Sequence, residues 1–143
     1  MYLLDTNILS EIRKIKQNRA NENVVNWLAN VLPTELYTNV VVLMEIEKGI
    51  VRLRRKDSQQ ADNLAAWYQT IKPTFQNRIY SIDEKTASIC ATLHSPNPAP
   101  ANDAWIAATA IQHNLVLATR NTNDFNFQGL QVFNPFEYQA KYK

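Results

Sequence analysis

The chain has 143 residues, 45% of them apolar, and its 15 basic and 13 acidic side chains leave a formal charge of only +2. That size fits one domain with a substantial core, and so small a net charge excludes recruitment of a polyanion by the field of the whole molecule, leaving any such role to local clusters. One cysteine, Cys90, excludes an internal disulfide and a cysteine-based zinc site, and two glycines, Gly49 and Gly129, exclude a P-loop or a GxGxxG fingerprint.

Tyr2-Leu3-Leu4 reads as a short buried strand that delivers Asp5-Thr6-Asn7 at its carboxyl end, and Ile8 to Ile12 reads as helix. Taken alone, Asp5 is a turn or cap residue. No basic region precedes the first apolar run, and no later run approaches the ~18 residues of a membrane span, so neither a secretory leader nor a transmembrane segment is expected. With Cys90 set among apolar neighbours as a buried thiol, a cytoplasmic location is expected. Arg13, Lys14, Lys16 and Arg19 follow, either as a solvated face or as a phosphate-contacting loop. Asn21 to Leu32 has helical periodicity through Val24, Trp27, Leu28 and Val31 and is stopped by Pro33.

Leu36 to Val42 is rich in β-branched residues and predicts a second strand, running into a helix with Leu43, Ile46, Ile50 and Leu53 on one face. Glu45 would lie in its first turn or two. Arg52, Arg54, Arg55 and Lys56 close that helix, suit its C-terminal dipole and form the densest basic cluster, a candidate phosphate contact. Gln59 to Ile71 predicts an amphipathic helix ended by Pro73, and Arg78-Ile79-Tyr80 a short strand. Ser81-Ile82-Asp83-Glu84 has capping-box spacing for a helix through Ala87, Ile89, Cys90 and Leu93, closed by His94.

Residues 95 to 101, with Pro96, Pro98 and Pro100, form the one clear loop. Asn102 is the expected N-cap of the next helix, placing Asp103 in its first turn on the face shared by Ile106, Ala107 and Ala110. His113-Asn114 turns into a strand over Leu115 to Thr119, ending in the polar cluster Arg120 to Phe125. Leu130 to Phe133 predicts a last strand, before Asn134-Pro135-Phe136 and a polar tail. Both histidines are expected at helix C-termini without a catalytic role, and Trp27, Trp67 and Trp105 are expected to pack in the core.

Strands alternating with helices imply a single α/β domain, a mostly parallel sheet flanked by helices. In such a sheet the helix N-termini and the strand C-termini share one edge, so Asp5, Glu45, Asp103 and Asp124 are all expected there. Four carboxylates brought together without a cation would repel and raise one another's pKa, and oxygen-only ligands favour Mg²⁺, with Mn²⁺ as the alternative. An aspartyl-nucleophile phosphohydrolase would usually carry a second Asp where this chain has Asn7.

Five motifs, in order and spacing, resemble the PIN-domain ribonucleases, in particular the VapC-type and FitB-like toxins of bacterial toxin–antitoxin pairs. They are Tyr2 to Asn7, Leu43 to Ile50, Asp103 to Ala110, Thr119 to Phe125 and Asn134 to Phe136. The resemblance implies one PIN domain over residues 1–143 with endoribonuclease activity. It implies Asp5, Glu45 and Asp103 as acidic metal-site residues, completed by Asp124 or Asn121, with Thr6, Asn7 and Thr119 as polar neighbours. It further implies an RNA substrate, a homodimer and a cognate antitoxin that occludes the acids, together forming a larger toxin–antitoxin assembly. Since no histidine falls in the polar clusters, the expected chemistry is hydrolysis by metal-activated water. The rival reading is a non-catalytic PIN-like module that holds RNA or protein without cutting.

Overall fold

In the computed structural model, residues 1–140 are described; Lys141, Tyr142 and Lys143, the end of the expected polar tail and of the expected 1–143 domain, lie outside the described residues. Short parallel strands β1 (Tyr2–Leu4), β2 (Leu36–Asn39), β3 (Ile79–Tyr80), β4 (Val116–Ala118) and β5 (Val132–Phe133) form one sheet in the order β3-β2-β1-β4-β5. β1 is central, and Leu3 and Leu4 are fully buried, as a strand covered on both faces requires. Leu3 aligns with Tyr37 on one side and Leu117 on the other. The chain leaves β1 towards β2 and returns to its other side as β4, so the order reverses at β1/β4. A crevice at the strand C-termini is the consequence.

The helices are α1 (Thr6–Arg13), α2 (Glu22–Ala29), α3 (Val40–Arg54), α4 (Ser58–Tyr68), α5 (Ile71–Thr74), α6 (Glu84–Leu93) and α7 (Ala101–Gln112). α7 buries Ala104, Ala107, Ala108 and Ala110 completely, and these small side chains let it lie close to both the sheet and α6. Trp27 is in the core, edge-on to Tyr2 at 5.1 Å between ring centroids, whereas Trp67 and Trp105 are only half-buried against it. No helix of the described residues is long and apolar enough to cross a membrane.

Several element ends differ from the sequence reading, each for a local reason. The strand expected to reach Val42 stops at Asn39, whose side-chain oxygen accepts the Val42 N–H at 3.0 Å; the cap overrides the β-propensity of Val40-Val41-Val42 and makes them the first turn of α3. α2 stops at Ala29 rather than Leu32, because Leu32 must be extended before Pro33. The helix expected over Gln59 to Ile71 begins at Ser58, capped by Asp57, and breaks after Tyr68; Pro73 sits inside the separate turn α5, where its missing N–H costs little. The capping box is Asp83 with Thr86, not Ser81 with Glu84. α7 begins at Ala101 after Pro100, so Asn102 is not its cap.

Asn39 also donates to the Thr109 hydroxyl at 3.0 Å inside the core, joining β2, α3 and α7. Replacing Asn39 with Ala removes the cap, strands the buried Val42 N–H and takes a donor from the Thr109 hydroxyl, which keeps its bond to the Trp105 carbonyl at 2.9 Å. The expected loss is about 2 kcal/mol of unfolding free energy in urea titration at unchanged m-value.

Candidate functional site

Asp5 stands where the chain passes from β1 into α1, with its own N–H bonded to the Ala118 carbonyl at 3.0 Å. One carboxylate oxygen accepts the Thr6 N–H at 2.8 Å; the other accepts the Thr119 hydroxyl at 2.7 Å and the Asn7 amide at 3.3 Å. Asn7 reaches back across the crevice, accepting the Arg120 N–H at 3.0 Å and donating to Thr119 at 3.3 Å, while the Thr119 oxygen also accepts the Asn121 N–H at 3.1 Å. The ends of β1 and β4 are thereby clasped by neutral groups around a carboxylate that is only 6% exposed. Burial pushes its pKa above the ordinary value, against the downward pull of these hydrogen bonds and with a further push from Glu45.

Glu45, half-buried in the second turn of α3, accepts the Thr6 hydroxyl at 2.6 Å on one oxygen and the Asn102 amide at 3.4 Å on the other. Asn102 is therefore a site residue that the sequence reading mistook for a cap; its Asx identity at a helix start pointed more strongly to capping. Asp103, third residue of α7, is half-buried, and its pKa is pushed up to about 6, first by burial and then by the charges of Asp5, Glu45 and Asp124. Asp124 is exposed in a 3₁₀ turn, Thr122–Phe125, that is anchored by buried Phe125; Asn121 is exposed just before it.

Asp103 thus senses Asp5, Glu45 and Asp124 at the carboxyl edge of the sheet, yet the four acids are not gathered into a cage. Among the described residues, no three carboxylate, imidazole or thiol groups stand close enough together to ligate one ion. Asp5 and Glu45 are instead turned to their own donors. The donor set nonetheless suits a hard divalent cation: it is all oxygen, and after burial the upward push on Asp103 comes from neighbouring negative charge that a cation would relieve.

The basic cluster of Arg52, Arg54, Arg55 and Lys56 is not brought to this edge. It lies at the opposite end of α3, roughly 10–16 Å further along the helix than Glu45, and Arg54 is paired with Asp62 at 2.7 Å. A cation that adjoins the acids along the chain is Arg120, exposed, with its guanidinium 4.6 Å above the Phe136 ring.

Residues 2–128 match the PIN domain family. The chain belongs to that family. It is 36% identical to "Toxin FitB" of Neisseria gonorrhoeae over 143 residues, covering 95% of this chain and 99% of that protein. It is 27% identical to "VapC ribonuclease Y4jK" of Sinorhizobium fredii, with 96% and 99% covered. The crystal structure of FitAcB from Neisseria gonorrhoeae superposes with a TM-score of 0.83 at 35% identity, covering 96% of this chain and 99% of that one. A toxin–antitoxin complex from Klebsiella pneumoniae gives 0.64 at 26% identity, covering 94% and 98%.

The electrostatics of this PIN domain make a signed prediction. Asp5 and Asp103 both bind a proton more tightly folded than unfolded, so ionising them costs more in the native state. In EDTA the melting temperature should fall as pH rises from about 4 through about 6. Asp103→Asn should flatten that slope and melt higher than the parent at pH 7, as calorimetry would read. An unchanged slope would detach Asp103 from the acidic edge.

Proposed function

We propose that this PIN domain is a Mg²⁺-dependent endoribonuclease that hydrolyses RNA phosphodiester bonds and serves as the toxin of a toxin–antitoxin pair. The observation that carries the reading is the convergence on Glu45 of Thr6, next to Asp5, and Asn102, next to Asp103, which brings three acid-bearing elements together at the switch point of the sheet. The toxin and ribonuclease names of relatives matched along nearly their whole length support it. Asp5, Glu45 and Asp103, with Asp124, would hold the ion, Mg²⁺ or else Mn²⁺. When bound, it would lower the pKa of a coordinated water and offset charge building on the phosphate.

The chain's own groups do the rest. Thr6, Asn7 and Thr119 fix the Asp5 and Glu45 carboxylates in orientation, Asn102 steadies Glu45, and Asn121 supports Thr119 through its N–H. Arg120 is placed to take a phosphate flanking the scissile one. Both histidines are otherwise engaged, His113 stacked on Tyr80 and His94 accepting the Ala99 N–H, so neither serves as base for attack by the RNA 2′-OH. A cognate antitoxin that neutralises the acids with a basic residue, a homodimeric toxin and a cytoplasmic setting complete the reading.

The ungathered carboxylates favour one rival, a PIN-like module that binds RNA or protein without cutting. A labelled RNA oligonucleotide separates the two. With Mg²⁺ the parent should leave 5′-phosphate and 3′-OH ends. Activity should vanish in EDTA and fall at least roughly 10²-fold in Asp5→Asn, Glu45→Gln and Asp103→Asn. Cyclic phosphate ends or EDTA-resistant cutting would overturn the mechanism, and intact RNA in every arm would favour the passive module.

Arg120→Ala tests the phosphate contact. It should raise KM several-fold with kcat kept, and lower the slope of log affinity against log salt by about 1.

A further inference from the structure

Beside the acids lies a cleft of about 520 Å³, within the range of roughly 300–1,000 Å³ usual for ligand sites. One wall is the end of α6 and the loop after it, including Thr92, Ser95 and Asn97; the other is Asn126, Phe127 and Gln128. These walls are the segments that frame two of the acids. The first runs into α7 four residues before Asp103, and the second begins two residues after Asp124, within ~7 Å of chain. α7 packs against the 3₁₀ turn that carries Asp124, so the cleft opens next to the acidic edge.

We infer that this cleft is the base-recognition subsite of the enzyme, taking an unpaired nucleobase of the RNA next to the scissile phosphate. The inference rests on the ribonuclease reading above and adds to it the place where sequence is read. Its lining contains no ionisable side chain, which is wrong for a phosphate but right for base edges, whose donors and acceptors are neutral. Asn97, Asn126 and Gln128 are exposed, with amides that offer both a donor and an acceptor, and Phe127 supplies a ring for stacking.

Both walls are also held in shape before any ligand arrives. Pro96, Pro98 and Pro100 stiffen the first, and the His94 ring accepts the Ala99 N–H at 3.0 Å across its base. In the second, the Phe127 N–H bonds to the Phe125 carbonyl at 3.0 Å and the Leu130 N–H to the Phe127 carbonyl at 3.2 Å, closing a turn with Gly129 at φ +86°. Phe125 is buried and meets Phe127 edge-on at 6.4 Å, so one anchor positions both Asp124 and the stacking ring. A base in the cleft would therefore be registered against the acids through rigid segments.

The test digests a single-stranded RNA library randomised in sequence, with Mg²⁺, and maps the bases flanking each cut. The parent should prefer one or two bases at a single flanking position. Asn97→Ala and Gln128→Ala, both at exposed positions, and Phe127→Leu, which keeps the apolar packing but loses the ring, should each weaken that preference roughly tenfold. Cutting by these variants with the parent's preference would overturn the inference while leaving the ribonuclease reading intact. A second readout needs no cleavage: amide shifts of the parent in EDTA during titration with each of the four ribonucleosides, and with ribose alone. Base-dependent shifts at Asn97, Asn126 and Gln128, lost in Phe127→Leu, support the subsite even if the parent cuts nothing and the ribonuclease reading fails. Shifts equal to those with ribose, or none in the cleft, overturn it.

Discussion

The constraint on which this structure turns is the burial of a carboxylate, Asp5, with no cationic side chain among the described residues paired to it. Isolating such a charge from water is expensive, and the fold meets the cost with the Thr6 N–H, the Thr119 hydroxyl and the Asn7 amide. Those donors come from the start of α1 and the end of β4. Keeping them in place fixes the register of β1 against β4 and the entry angle of α1. Glu45 extends the clasp to α3 and α7 by accepting from Thr6 and Asn102. The acidic edge thus acts as the point where five elements, β1, β4, α1, α3 and α7, are tied together.

That solution is partial by design of the donor set. Neutral donors can satisfy a carboxylate's lone pairs but cannot cancel its charge, so the repulsion remains and adds to burial in raising the pKa of Asp103. A site left in tension this way spends native stability in exchange for affinity toward whatever brings positive charge. A divalent ion and a basic residue from another protein would relieve the same repulsion and would therefore compete. On the toxin reading, that competition gives inhibition without any change of fold.

Much of this was legible in the sequence because it follows from topology. Strands ending in Asp5 and Thr119, and helices opening near Glu45 and Asp103, must share an edge once the sheet is parallel, and five parallel strands were found. Site residues that depend on side-chain direction were not legible. Asn102 looks like a cap, because an amide near a helix start forms a cap far more often than it reaches a glutamate on another helix. Val40-Val41-Val42 looks like strand because intrinsic preference cannot register that buried Asn39, tied to Thr109 seventy positions away in the chain, is already capping a helix. The basic residues divide in another way: the cluster at the end of α3 is dense in sequence but lies along the helix away from Glu45, whereas Arg120 stands close in sequence to Asp124.

These placements bear on how RNA would reach the edge. Uncompensated carboxylates repel phosphates, and with a formal charge of only +2 the molecule has little long-range attraction to offset that repulsion. On the ribonuclease reading, RNA and the divalent ion must then favour one another's binding, since each lowers the electrostatic cost of the other, and linkage makes the effect equal in both directions. A neutral cleft beside the acids adds affinity that does not depend on charge, and the field does not penalise it. On that reading, positioning by Arg120 and by uncharged contacts suits an acidic edge on a nearly neutral protein. A strongly basic surface would bind RNA in many registers, but would do little to place one particular phosphate against Asp5 and Asp103.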